Sequence, residues 1–387
     1  MDRRAFFARS FALGCSAAAS PFVTPVTFAS APGDGRLVVI ILRGAMDGLD
    51  VVRPLGDPHF AALRPSLNGT QAEDLDGFFA LNSALSSLMP LWRSGELAFA
   101  HAVSTPYRDK RSHFDGQDFL ENGGAATDGA LTATGDGWLN RLLAQLPEAE
   151  AETAFAIGRE NLLLLSGDAP ATSWSPEATL SLSPQAQLLL EKVYAQDPLF
   201  RDAATQAMAL SDLVTDPMAP GWAGRAKALA EFAAGRLKEE TRIAAFSIGG
   251  WDTHANQART LPRALGELSD AILTLRKELG PVWGQTAVLC LTEFGRTVRE
   301  NGSKGTDHGT AGAELFAGGA VRGGQVIGRW PGLGPGDLFE DRDLMPTRDV
   351  RAHAAWALRA LFPVGNPVLA GDVFPGLDLG SDPKLMA

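Results

Sequence analysis

Three short runs of branched apolar residues, each ending in a turn that carries glycine and an acid, constrain this chain more than any other feature. Leu37–Leu42 runs into Arg43-Gly44-Ala45-Met46-Asp47-Gly48. Ile243–Ile248 runs into Gly249-Gly250-Trp251-Asp252-Thr253-His254. Ala287–Leu291 runs into Thr292-Glu293-Phe294-Gly295-Arg296-Thr297 and on to Gly305-Thr306-Asp307-His308-Gly309. Runs this short, with no polar alternation, read as strands of a parallel sheet buried on both faces. In an open α/β sheet, ligands bind beyond the carboxyl ends of the strands. The three strands therefore deliver Asp47, Asp252 with His254, and Glu293 to one edge, and that edge reads as a metal site.

The remaining chain alternates strand-like and helix-like stretches. Glu96–Val103 and Thr153–Ile157 read as further strands, and Ser83–Arg93 as a helix ahead of the first. Leu265, Leu268, Ile272, Leu275 and Leu279 form one apolar stripe of a helix that packs on the sheet. Pro346-Thr347-Arg348-Asp349 opens a last helix running to about Leu361, with Thr347 as the expected N-cap and Pro363 just after its last turn. Alternation of this kind argues for an α/β fold with a mainly parallel sheet. Residues 184–240 differ, being rich in alanine and leucine without a strand. They read as a helical excursion, with Pro184–Tyr194 and Trp222–Leu237 helical, that either covers the site or packs as an ordinary layer. The expected organisation is one α/β domain over residues 32–387.

Residues 1–31 read as a leader. Arg3-Arg4-Ala5-Phe6-Phe7 is a twin-arginine pair followed by aromatics, a weakly apolar stretch follows, and Ala29-Ser30-Ala31 supplies a cleavage site. The expectation is export by the twin-arginine machinery to the periplasm or beyond. No other segment holds 18 consecutive apolar residues, so no transmembrane helix is expected. Without the leader, 31 basic residues face 44 acidic ones, a net charge of −13. That balance argues against nucleic acid and anionic lipid as partners. It leaves room for an anionic substrate, because a bound divalent cation reverses the local field. Cys290 is the one cysteine outside the leader; it sits in an expected strand and reads as a small core residue.

A divalent metal needs several oxygen or nitrogen ligands converging on a point. Asp252 and His254, two apart on an extended loop, can face one side; the alternative is a turn in which Asp252 caps the next helix. His308 lies in a loop with several glycines, which lets backbone approach a ligand, and Asp307 either joins it or orients it. Glu293 is a further ligand candidate, the alternative being a pair with Arg296. Asp47 is another, or else a turn or capping aspartate. Zinc, manganese, calcium and magnesium all remain open as the ion. The most highly charged short segment runs from Arg108 to Asp115. Within it His113 is a candidate ligand, base or substrate contact, and Arg111 a candidate for holding a phosphate or sulfate oxygen; a solvated, salt-bridged turn is the alternative. His59, His101 and His353 read as structural. No G-x-S-x-G elbow, Walker A loop or G-x-G-x-x-G after the first strand is present, which counts against an α/β-hydrolase nucleophile and against nucleotide binding.

Taken together, the twin-arginine leader, Arg43–Gly48, Arg111-Ser112-His113-Phe114 with Gln117-Asp118, Gly249–His254, Thr292–Thr297 and Asp307-His308-Gly309 resemble the bacterial domain-of-unknown-function family 1501, over nearly the whole mature chain. That family is placed in the alkaline phosphatase and sulfatase superfamily. The resemblance implies a three-layer α/β/α sandwich and an exported, metal-dependent hydrolase of phosphate or sulfate esters. It implies ligands at Asp47, Asp252, His254 and His308, and an acid-histidine pair where this chain has Glu293-Phe294, so one histidine is unaccounted for. It implies a hydroxyl nucleophile at Ser104, Thr105 or Ser112, of which Ser112 is preferred, with His113 and Arg111 as substrate contacts. The alternative is a non-catalytic exported protein that kept the fold and binds an exported partner.

Overall fold

Successive residues of a strand point to opposite faces, and Leu37–Leu42 divides accordingly. Val38, Ile40 and Leu42 enter one hydrophobic core, while Leu37, Val39 and Ile41 enter a second. The strand is buried along its whole length, so it lies at the centre of a sheet covered on both sides. The computed structural model describes residues 34–387 except 70, 109–110, 125, 128–129, 132–134, 148, 159–161 and 175–223. The leader, the expected helix at Pro184–Tyr194 and most of the excursion lie outside the described residues.

The main sheet contains β1 (Arg36–Leu42), β2 (Leu97–Ser104), β3 (Ala154–Ile157), β4 (Thr172–Trp174), β5 (Ile243–Ile248), β6 (Thr286–Leu291), β7 (Gly312–Ala317), β8 (Gln325–Ile327) and β9 (Arg348–Asp349). Its order is β8-β2-β7-β6-β1-β5-β3-β4, with β9 also pairing β2. Only β7 runs antiparallel to its neighbours; the other pairings in this sheet are parallel. Ile40 pairs with Phe246 on one side and Cys290 on the other, which brings the ends of β1, β5 and β6 level. Helices α3 (Arg225–Leu237) and α4 (Gln257–Leu279) bury Ala230, Ala234, Leu265, Leu268 and Ile272 against one face. Helices α2 (Trp138–Leu143) and α5 (Val350–Leu361), with Leu120 of α1 (His113–Asn122), cover the other. The protein is thus a three-layer α/β/α sandwich on a mainly parallel sheet. No helix among the described residues is long and apolar enough to cross a membrane.

Two expected helices differ in detail. The last one starts at Val350, and Asp349 caps it by accepting from Arg351 N. Thr347 is instead spent on β2: its backbone N and its hydroxyl both donate to Ala102 O. The segment Ser83–Arg93 splits into a 3₁₀ stretch, Ser83–Leu88, and one α-helical turn, Met89–Arg93, which has Pro90 in its first turn; proline is favoured at that position.

Candidate metal centre

The loops after β1, β5 and β6 meet at the carboxyl edge of the sheet, and α1 lies beside them. Glu293, two residues past the end of β6, is fully buried. A buried carboxylate is costly unless donors surround it. Here Gly44 N, Ala45 N, His113 Nδ1 and Gln117 Nε2 all reach its Oε1, at 2.9, 3.1, 2.8 and 3.2 Å. Burial pushes the Glu293 carboxyl up, but the donation from His113 and the backbone outweighs it and holds the group below the usual glutamate value. The same bond raises His113 above an ordinary histidine, against the opposing pull of burial. The His113 ring stacks on Phe294 with centroids 5.3 Å apart, and meets the edge of His308 at 4.3 Å. Glu293 and Phe294, neighbours in sequence, thus fix both the ring's tilt and its proton.

A carboxylate only accepts, so Nδ1 of His113 donates to it, and the second ring nitrogen, Nε2, is left facing the cluster. That Nε2 is buried, makes no hydrogen bond, and lies 3.5 Å from Asp252 Oδ2. His308 follows the same rule: its Nδ1 donates to Arg111 O at 2.8 Å. Its Nε2 faces Asp252 Oδ1 at 3.3 Å. Burial lowers the His308 pKa, so the ring favours the neutral form. His254 places Nδ1 3.1 Å from Asp307 Oδ1, and its Nε2 3.0 Å from both Asp252 Oδ1 and His308 Nε2. Asp307 is held below the usual aspartate range first by the Asn301 amide and then by His254. The His254–His308 approach is informative. With both Nδ1 positions turned to oxygen, the two Nε2 atoms face each other, a contact that needs either a proton on one ring or a cation between them, and Arg296 Nη1 also lies 3.5 Å from His254 Nε2.

His113, Asp252 and His308 each offer an atom within 4.8 Å of the others, and His254 adjoins the last two. Ligand atoms around one tetrahedral zinc stand about 3.3 Å apart, given zinc–nitrogen bonds of ~2.0–2.1 Å. Four of the separations here, two to Asp252 Oδ1, one to its Oδ2 and one between His254 and His308, run from 3.0 to 3.5 Å. The unpartnered Nε2 of His113, the facing Nε2 atoms of His254 and His308 and the nitrogen-rich donor set fit a first-row divalent ion better than calcium or magnesium, which prefer oxygen alone.

Arg296 buttresses the group from below. Its guanidinium is fully buried and donates to Ala45 O, Gly44 O, Trp251 O, Thr306 O and Asp252 Oδ1, so it ties three loops together. Burial works against the charge on Asp252, but Arg296 outweighs it and holds that carboxyl below the usual range. Gly305 lets the last loop close: a Cβ there would fall 2.4 Å from the His254 carbonyl carbon.

The structure thus brings His113, Asp252, His254 and His308 together, and places Glu293 and Asp307 behind them as partners of ring nitrogens. Asp47 is elsewhere. It is fully buried in a two-point pair with Arg64, at 2.6 and 3.0 Å, and also accepts from Gln257. Arg296 pairs with Asp252 rather than with Glu293, and Asn256, not Asp252, is the N-cap of α4. Ser112 is the N-cap of α1, its Oγ accepting from Asp115 N at 3.4 Å. The Arg111 side chain is committed to Glu340 and Asp343, at 3.0 and 3.2 Å, and what it offers the cluster is its carbonyl. Thr105 Oγ1 lies 3.5 Å from Glu293 O, and Ser104 Oγ is buried without a partner. No histidine follows Glu293 directly; the ring that meets its carboxylate is His113, from α1. Sequence reasoning missed Arg64 and Gln257. Gln257 carried a faint signal, three residues past His254 at a helix start; Arg64 carried none.

A family model described as "Protein of unknown function (DUF1501)" matches residues 93–354. No curated protein matches the chain. Among solved structures it is similar to a protein in the alkaline phosphatase superfamily from Vibrio parahaemolyticus, 14% identical, covering 90% of this chain and 72% of that one, with a TM-score of 0.39. It is similar to the PsFucS1 sulfatase from Pseudoalteromonas sp., 12% identical, covering 91% and 73%, TM-score 0.41. It is also similar to the C-terminal periplasmic domain of EcEptC from Escherichia coli, 10% identical, covering 75% and 74%, TM-score 0.36. At scores below 0.5 these are likenesses only, and the architecture stands on the sheet order and layering.

Proposed function

The chain belongs to the DUF1501 family, and for this member we propose a metal-dependent hydrolase of phosphate or sulfate esters. The observation that supports the reading is the convergence of His113, Asp252 and His308, with His254 adjoining the last two and the Nδ1 of each ring facing an oxygen acceptor. His113, Asp252, His254 and His308 would hold one divalent ion, zinc or manganese by donor type. Glu293, Asp307 and the Arg111 carbonyl orient the three rings; such carboxylate–histidine and carbonyl–histidine partners fix the tautomer and raise ligand basicity. Bound there, the ion would polarise the ester oxygen and stabilise the charge that develops on it. Ser112 is the proposed nucleophile, because it stands at the N-terminus of the ten-residue α1, where backbone N–H groups and the helix dipole favour an anionic group. The buried Arg296 offsets the negative charge of Asp252, so the site is not left strongly anionic toward an ester. The same reading takes Arg3 and Arg4 as the export signal, with a folded protein delivered to the periplasm.

One pair of observations favours the second reading, a non-catalytic exported protein that retained the fold. The Ser112 hydroxyl is spent as a helix cap and the Arg111 guanidinium on two acids. Turnover of an aryl phosphate and an aryl sulfate by zinc- and manganese-loaded protein separates the two. The hydrolase reading expects metal-dependent turnover that Asp252→Ala abolishes. Turnover that is the same in the wild type and in Asp252→Ala, or none with either ester, contradicts it.

A further inference from the structure

Gln257 opens α4, is fully buried, and uses its whole side-chain amide. Its Nε2 donates to Asp47 Oδ2 at 2.6 Å and to Asp50 Oδ2 at 2.8 Å. Its Oε1 accepts from Thr253 Oγ1 at 2.9 Å and from Thr306 Oγ1 at 2.7 Å. The amide orientation follows from chemistry: two carboxylates on one side only accept, so the NH₂ must face them and the carbonyl must face the hydroxyls. Those carboxylates are themselves anchored, Asp47 by Arg64 and Asp50 by Arg53. The two threonines occupy telling positions. Thr253 lies between Asp252 and His254. Thr306 precedes Asp307 and His308, its backbone N donates to Thr253 O, and its own carbonyl accepts from Arg296. One side chain therefore grips both loops that bring nitrogen and oxygen to the cluster, and fastens them to a rigid ion-paired base behind β1.

We propose that Gln257 is a positioning residue that sets the spacing of Asp252 and His254 against His308, and through it the affinity of the site for a divalent ion. The inference rests on the reading of this cluster as a metal site. Asp47 and Asp50 belong to this clamp: their role is to hold the amide, not to meet the ion. Removing partners one step behind metal ligands typically weakens binding by about 10–100-fold, and Gln257 stands behind two loops at once.

The test is zinc affinity of the full chain, by competition with a chromophoric chelator, using Zn²⁺ alone as the probe. Gln257→Met removes every polar contact at similar length. Because it leaves Asp47 and Asp50 short of a donor and can fail to fold, the paired Thr253→Val, Thr306→Val variant is measured beside it; it keeps the donors to both carboxylates and releases only the loops. Both variants are expected to bind zinc about 10–100-fold more weakly while their circular dichroism is that of the wild type. Thr253→Ser with Thr306→Ser, which restores both hydroxyls, is expected to return affinity to within a few-fold of wild type. Folded variants that bind as tightly as a wild type that does take up zinc overturn the positioning role alone. A wild type that takes up no zinc overturns the metal reading and this inference with it.

Discussion

Two glutamate–histidine pairs can be compared, His113–Glu293 at the carboxyl edge of the sheet and His353–Glu314 between α5 and β7. In both, a histidine Nδ1 meets a glutamate oxygen: His113 with Glu293 at 2.8 Å, His353 with Glu314 at 2.5 Å. Both carboxyls are buried. Glu293 receives two backbone N–H groups and the Gln117 amide besides its histidine. Glu314 has its histidine and an Oε1 without a partner. The carboxyl pKa values part accordingly: Glu293 is held below the ordinary value, whereas burial pushes Glu314 above it despite His353. Burial disfavours a carboxylate, and hydrogen-bond donors and neighbouring charges set against it decide whether it stays charged. A charged Glu293 fixes the Nδ1 hydrogen of His113 and turns Nε2 toward Asp252. Glu314 joins strand to helix in the core and presents nothing.

Glu293→Gln should break this contrast most severely. It removes the charge on which four donors converge and frees the His113 ring. Zinc affinity should fall by about 10–100-fold, and stability by roughly 1–3 kcal/mol for each buried donor left without an acceptor. Chelator competition and urea unfolding check the two effects; a variant that keeps both affinity and stability refutes the role given to Glu293.

Gly44→Ala attacks the same carboxylate from the backbone side. Gly44 has φ +119°, and a Cβ there would lie 2.7 Å from Asp252 N. The strained backbone alone should cost about 1–3 kcal/mol, with metal affinity falling alongside because Gly44 N and O serve Glu293 and Arg296. An unfolding midpoint equal to wild type would show that this turn relaxes freely.

The smallest effect, and the one with opposite sign, belongs to Glu314→Gln. A carboxyl whose folded pKa is raised contributes stability while protonated and loses it as pH rises through the folded value. Below the unfolded value of 4.5 wild type and variant should respond alike. Above it, the variant should gain on wild type with rising pH and be neutral to slightly more stable at pH 7. Urea unfolding from pH 4 to 8 measures the difference, and a Glu314→Gln variant that loses ground with rising pH contradicts the assignment.

The strands, and the edge they share, were legible because β1, β5 and β6 are buried on both faces and so carry unbroken apolar runs that stop at glycine turns. Asp252, His254 and His308 were legible because they follow those turns. Asp47 has the same local pattern, yet it belongs to Arg64, sixteen residues past the end of the turn and reached through a loop that no periodicity announces. His113 posed the inverse problem. It lies in a segment whose charges read equally well as a solvated turn, and only the packing of α1 on Phe294 shows what its ring faces. Thr347 lost its expected cap to a pairing with β2, a long-range bond that local propensity does not see.

Metal content by plasma mass spectrometry, on full-length protein with His254→Ala beside it, decides whether the cluster holds an ion. The account expects close to one first-row divalent ion per chain in the wild type and a large loss in the variant. No metal in either protein would contradict it.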